Sequence, residues 1–232
     1  TPVEVSLKPL TAAQPLSVLA LVGAGCHRLS EIAGRLGKPS TSLSRPIATL
    51  VELGLVRRDL PFGASLQDSK RTAYRLADPF LRLWFRFVEP GRSRLEAGLA
   101  PAVARELAAA LPLHVSSVWE DLARESVLRA PCLGRTWESV GSWWGAGLDR
   151  VPLEVDVVAR SADGKEILVG EAKWQARLDW ARETAALRQK AERLPLAQGR
   201  TVRLAIWTKF APARVPPGVA CLTPGDVLAA LR

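Results

Sequence analysis

Two β-rich runs around a four-residue turn constrain this chain more than any other feature. LEVDVVARS (residues 153–161) and EILVGEAKW (residues 166–174) flank Ala-Asp-Gly-Lys. Apolar and β-branched residues dominate both runs, and a tight Asp-Gly turn makes them antiparallel neighbours in a hairpin. The second run ends in Glu171 and Lys173, two residues apart and so on one face of a strand. Counted outward from the turn, Asp156 lies five residues before Ser161 and Glu171 five after Glu166. The two carboxylates are therefore expected opposite each other across the ladder. Strict alternation also puts Glu154 on the Asp156 face.

The flanking segments supply the rest of a mixed α/β domain over residues 114–232. HVSSVWEDLARESVLRA reads as a helix whose apolar face carries Val115, Val118, Trp119 and Leu122. GRTWESVGSWWG reads as a strand and turn. After the hairpin come a long amphipathic helix (ARLDWARETAALRQKAERL), a strand (TVRLAIWTK), and a short strand and helix (VACLTPGDVLAALR). The order is helix, three strands, helix, strand, then extras.

The N-terminal part has a different rhythm. Residues 1–14 form a leader. Leu16–Val22 suits a short helix, and Leu29, Ile32 and Leu36 recur at helical spacing before Gly37 stops the turn. A third helix begins near Ser40, with Leu43, Ile47, Leu50 and Val51 as its stripe and Pro46 tolerated only in its first turns. Two strands around a polar turn follow. Three helices and a hairpin make a winged helix-turn-helix over residues 15–78. Lys38, Ser40, Thr41, Ser42, Ser44 and Arg45 cluster at the start of its third helix. There, short hydroxyls and a guanidinium can reach phosphates and base edges. Arg57, Arg58, Lys70, Arg71 and Arg75 flank the wing. A protein partner is the other use of such a module. GRLGKPS lacks phosphate-loop spacing, and its glycines are helix punctuation.

Residues 79–113 read as a helical connector, opening with the aromatic and arginine-rich PFLRLWFRFVEP. Its aromatics are expected to pack rather than to stack on bases. The tryptophans, Trp143, Trp144 and Trp174 among them, are assigned mostly to the core.

Charge supports an anionic partner. The net charge is +9, and residues 1–98 hold 14 Lys and Arg against 8 Asp and Glu. Nucleic acid is the first expectation and a membrane surface the second. No apolar stretch approaches the roughly 18 residues of a membrane span, and no secretory pattern opens the chain, so a soluble, cytoplasmic protein is expected. Cys26, Cys132 and Cys221 show no paired spacing and read as idle thiols. The chain has no methionine, which suggests a piece of something longer.

Two facing carboxylates repel unless a cation or proton offsets them. A hard ion such as Mg²⁺ or Mn²⁺ takes one or two carboxylates, waters and a phosphate oxygen. A lysine on the same face can position water or stabilise charge growing on phosphorus. The bland counterpart is a surface salt bridge at a strand end, worth little.

The hairpin carrying Asp156, Glu171 and Lys173, between a preceding helix and a following helix and strand, resembles the PD-(D/E)xK nucleases. Val155 stands where the motif name has proline. The resemblance implies Mg²⁺ or Mn²⁺ at Asp156 and Glu171, with Glu120 (or Glu125) as a further acid on the first helix. It also implies a polar residue, Gln189 or Lys190, on the next helix. Over nearly the whole chain, RLSEIAGRLGKPSTSLSRPIATLVELGLVRR, YRLADPFLRLWFRFVEPGRS and EVDVVA…ILVGEAKW resemble the C-terminal half of archaeal-type AAA/STAND ATPases. That implies DNA and an ATPase domain of the same or a related chain as partners, with oligomers allowed. No Walker motif is present, so no ATP binding is expected. The combined reading is a DNA-binding, Mg²⁺-dependent endonuclease module. Its alternative is a non-catalytic DNA- or protein-binding regulatory or scaffold region of such an ATPase.

Overall fold

The computed structural model describes residues 13–65 and 71–232. Lys70 and most of the expected leader lie outside them. The chain divides into two compact units: the first ends at Leu111, and the second comprises Pro61–Ala64 and Pro112–Arg232.

In the first unit, helices α1 (Ala13–Gly23), α2 (Leu29–Arg35) and α3 (Ser44–Glu52) precede the antiparallel hairpin of β1 (Val56–Asp59) and β2 (Ala73–Leu76). Val18, Val22, Ile32, Leu43, Ile47, Leu50, Val56 and Leu76 form its core. The expected third helix starts later than its sequence suggests. Ser40–Leu43 is a 3₁₀ turn, and α3 proper begins at Ser44. Pro46 therefore sits in the first turn, where backbone N–H groups lack helical partners and nothing is lost.

Residues 79–111 fold with this unit. Asp78 caps α4 (Pro79–Leu83), its carboxylate accepting from the N–H groups of Phe80 and Leu81 at 2.6 and 3.2 Å. Trp84–Val88 continues as a π-helical turn, and α5 spans Arg92–Glu96. Leu81 and Phe85 pack on the core, whereas Phe80 is exposed.

The separate helices expected on either side of Pro112 are one helix, α6 (Ala100–Arg129). An interior proline removes the bond to the carbonyl four residues back. Here Pro112 and Ala108 are both exposed, so the carbonyl that loses its donor is open to solvent. No helix among the described residues is long and apolar enough to cross a membrane.

The second unit holds a five-stranded sheet in the order β3 (Trp137–Ala146), β4 (Pro152–Ser161), β5 (Glu166–Lys173), β6 (Thr201–Thr208), β7 (Val219–Leu222). The first three strands are antiparallel; β6 and β7 continue parallel to β5. The crossover from β5 to β6 carries α7 (Trp180–Arg193), capped by Asp179. The chain closes with α8 (Pro224–Leu231). One face of the sheet packs Val157, Ala159, Leu168, Ala172 and Trp207 against Trp119, Ala123 and Val127 of α6 and Val227 of α8. The other packs Leu153, Val155, Val158, Ile167, Val169 and Ile206 against Leu187 and Ala191 of α7. With both faces covered, β5 is buried from Glu166 to Ala172, as a near-continuous apolar strand should be.

Gly170 is the tight point of that sheet. A Cβ there would lie 2.4 Å from the Trp207 ring and 2.9 Å from the Ala205 carbonyl. The glycine before Glu171 thus lets a large indole lie across the centre of the sheet.

Candidate functional site

The acid–base pair sits at the C-terminal end of β5, the central strand. Ladder pairs run from Arg160↔Ile167 to Val157↔Gly170, so the next step sets Asp156 opposite Glu171, as the turn-counting predicts. The ladder to β3 explains how Asp156 reaches that place. Gly141 pairs with Val158, but Trp143 pairs with Val155. Asp156 and Val157 together oppose the single residue Ser142, which is a β-bulge. The bulge reverses the side-chain alternation: Leu153 and Val155 face α7, yet so does Val158, while Val157 faces α6. Asp156 is turned toward the α7 side beside Glu171. Glu154 is not on that face, because its neighbours Leu153 and Val155 both are. The shared Glu154–Asp156 face is therefore corrected: period-two reading fails across a bulge.

Five charged groups converge there. Asp156 Oδ2 accepts the Ala172 N–H at 2.9 Å, a bond that ends the ladder with a side chain in place of a carbonyl. Glu171, 4% exposed, accepts from Lys173 Nζ at 2.9 Å on one oxygen and from Lys190 Nζ at 2.6 Å on the other. Glu183 lies 3.7 Å from Lys173. Burial first, then the negative charge of Glu171, pushes the Asp156 carboxyl above its ordinary value; the Ala172 N–H and the two ammoniums pull less strongly the other way. At Lys173 burial acts to lower the pKa, but Glu171, Asp156 and Glu183 outweigh it and the net shift is upward. Lys173 is therefore a cation at neutral pH, suited to donate hydrogen bonds and stabilise negative charge rather than to act as a base.

Of the two residues expected from the helix after the lysine, Lys190 joins the site and Gln189 is exposed. Glu183 escaped the sequence reading, although its spacing of seven from Lys190 on an amphipathic helix puts both on one face. Arg124 escaped it too. From α6 it donates to the Asp156 backbone carbonyl at 2.7 Å and to Asp121 at 2.5 Å, which braces the bulge. Glu120 lies one turn before Arg124 and has a partner of its own. Glu125 pairs with Arg129 at 2.6 Å on an exposed face.

Among the described residues, no three His, Cys, Asp or Glu groups lie close enough to hold a metal, so Glu120 is not gathered with Asp156 and Glu171. The two carboxylates suit a hard divalent ion that takes its remaining ligands from water and a substrate phosphate. Such an ion would displace at least one of the ammoniums from Glu171.

In the first unit, Lys38, Thr41, Ser42, Ser44 and Arg45 are exposed around the start of α3, and Ser40 is half-buried. Leu43, Ile47 and Leu50 turn inward. The polar set thus lies on the outer face of a helix held by its apolar stripe. The wing arginines are more engaged. Asp59 lies 3.2 Å from Arg57 and 3.3 Å from Arg75, and Arg58 donates to Thr72 at 3.3 Å. Arg71 is exposed and also partnered.

Residues 16–60 match the family described as the IclR helix-turn-helix domain. Residues 84–189 match a family described as archaeal and bacterial proteins of unknown function, a stretch that contains Asp156, Glu171 and Lys173. An uncharacterized protein of Methanocaldococcus jannaschii is 27% identical over 161 residues, covering 68% of this chain and 35% of its own length. The chain thus spans about a third of that relative. A crystal structure of a Vibrio cholerae protein aligns over 96% of this chain and 50% of its own, at 13% identity and a TM-score of 0.33.

Proposed function

We propose that this chain is a DNA-binding protein whose second unit is a Mg²⁺- or Mn²⁺-dependent phosphodiesterase acting on DNA. The observation that carries the proposal is the convergence of Asp156, Glu171, Lys173 and Lys190, with a bulge aiming Asp156 at its partner. Packing two acids and two ammoniums together, with Glu171 buried and the other three half-buried, adds little net stability, so such a cluster at a strand end points to use. The element order and the helix-turn-helix of the first unit support the same reading. Asp156 and Glu171 would hold the metal, which when bound polarises a phosphate oxygen and lowers the pKa of a coordinated water. Lys173 donates to the attacking water and to charge developing on phosphorus. Lys190 holds the Glu171 carboxylate in place. The water oxygen forms the new P–O bond as the bridging P–O bond breaks; the water's proton passes to solvent, and the leaving sugar oxygen takes a proton from solvent. Exposed Lys38, Ser42, Ser44 and Arg45 would bind the duplex.

The double lysine pairing of Glu171 supports a second reading, since its charge is already met without metal. In that case the unit is a binding or scaffold region, as in an ATPase partner's regulatory part. Titration calorimetry of Mn²⁺ in the presence of a duplex with non-hydrolysable linkages separates the two. The proposal expects binding to the parent chain and its loss in Asp156→Asn. Equal heats from both proteins would leave the scaffold reading standing.

A further inference from the structure

One group of side chains beside the candidate centre has no part in the chemistry above. Strands β5 and β6 run parallel with Lys173 opposite Thr208, so the chain leaves the sheet as Trp174 on one strand and Lys209 on the next. Lys209 Nζ lies 5.4 Å from the centre of the Trp174 ring and 5.2 Å from that of Phe210. Trp174 is backed by buried Trp119, their rings 5.2 Å apart and tilted by 56°. The Thr208 hydroxyl donates to the Phe210 carbonyl at 3.2 Å and tethers the turn. Phe210 is 56% exposed, a large apolar ring kept at the surface where burial would ordinarily be favoured. Trp174 directly follows Lys173 but packs against Trp119 on the α6 side of the sheet, so the two rings and the cation sit at the same strand end as the candidate centre, around the edge of the sheet from it.

We infer that Trp174, Lys209 and Phe210 form a stacking platform for unpaired bases of a single-stranded DNA segment presented to the Asp156–Glu171 centre. Every base has a flat face that can stack on an aromatic ring, and a lysine beside the rings answers the phosphates. Bases inside a duplex are stacked on one another and cannot reach a side-chain ring. Trp174 is half-buried against the core, whereas Phe210 is exposed; a cation over an exposed ring is weakly bound, so Lys209 can turn to a phosphate and leave the Phe210 face to a base. The inference rests on the phosphodiesterase reading only for the fate of the strand; the platform itself is a binding surface.

The test uses the full chain in EDTA, where no cleavage occurs. Fluorescence anisotropy compares a labelled oligo(dT) strand with a labelled duplex, for the parent chain and for Phe210→Ala and Lys209→Ala. Phe210 is exposed and Lys209 half-buried outside the core, so both variants should fold, which circular dichroism checks. Single-strand affinity is expected to fall roughly tenfold in Phe210→Ala, with duplex affinity unchanged. A 2-aminopurine in the strand should lose fluorescence on binding the parent chain and keep it on binding Phe210→Ala. The inference is overturned by a parent chain that does not bind the single strand. Unchanged single-strand affinity in Phe210→Ala, or an equal loss for duplex, overturns it as well. No metal enters the measurement, so its failure leaves the phosphodiesterase reading intact.

Discussion

Replacing the two acids of the cluster one at a time should have opposite consequences for stability. Glu171 is buried and bonded by two ammoniums at 2.9 and 2.6 Å. Glu171→Gln leaves both ammoniums without that partner. Breaking a fully buried pair costs about 3–5 kcal/mol. The lysine side chains are 24% and 29% exposed and can turn partly to water, so a loss of about 2–3 kcal/mol is expected. Asp156 differs, because burial and Glu171 already disfavour its charged form. Asp156→Asn keeps the shape, removes that penalty, and should be neutral or stabilising by up to about 1 kcal/mol. Lys190→Met alone should cost about 1–2 kcal/mol. Combined with Glu171→Gln it should cost less than the sum, a coupling of about 1–2 kcal/mol. Urea unfolding followed by tryptophan fluorescence measures this in the right place, since every tryptophan but Trp84 belongs to the second unit. If Asp156→Asn costs as much as Glu171→Gln, or the cycle shows no coupling, the assigned charge balance is wrong.

Further outcomes follow from the same geometry. Because folding raises the Asp156 pKa, its contribution is fully present below the unfolded-state value and is lost as pH rises through the folded value; Asp156→Asn should flatten the fall in stability over that interval, measured by urea midpoints across a pH series. Gly170→Ala, which drives a methyl into the Trp207 ring, should destabilise the second unit by about 1–3 kcal/mol, and an unchanged urea midpoint would mean that the sheet has room there. Burial pushes the Cys132 thiol up to about 11, so mass spectrometry after iodoacetamide at pH 8 should find it alkylated far more slowly than a small free thiol. Arg45→Ala should weaken duplex binding and reduce the slope of log affinity against log salt by about 1; an unchanged slope would move the DNA surface elsewhere.

The hairpin was legible because its turn fixes register by counting, and that alone sets Asp156 against Glu171. What the count could not supply was the bulge. VDVV reads as an ordinary strand, and only the pairing of Ser142 against two residues reveals the extra one. The same blindness put Glu154 on the wrong face. The helix-turn-helix was readable from periodicity and glycine stops, while the true start of α3 depends on a 3₁₀ turn that apolar spacing cannot distinguish from a first helical turn. The continuity of α6 through Pro112 is not visible in the sequence, because a proline normally ends a helix and solvent access to the carbonyl behind it is a tertiary fact. Glu183 stands at helical spacing from Lys190, and Arg124 from Glu120, but helical spacing alone does not show which face of each helix meets the end of the hairpin.

The most direct test of the central claim is single-turnover cleavage of plasmid and of tailed duplex DNA in Mn²⁺ and in Mg²⁺. It compares the parent chain with Asp156→Asn and Lys173→Met, each first shown to be folded and to bind DNA normally. Cleavage by the parent chain is expected in either metal, none in EDTA, and losses of at least about 100-fold in both variants. Cleavage that persists in both, or a parent chain that binds DNA and never cuts it, would contradict the claim.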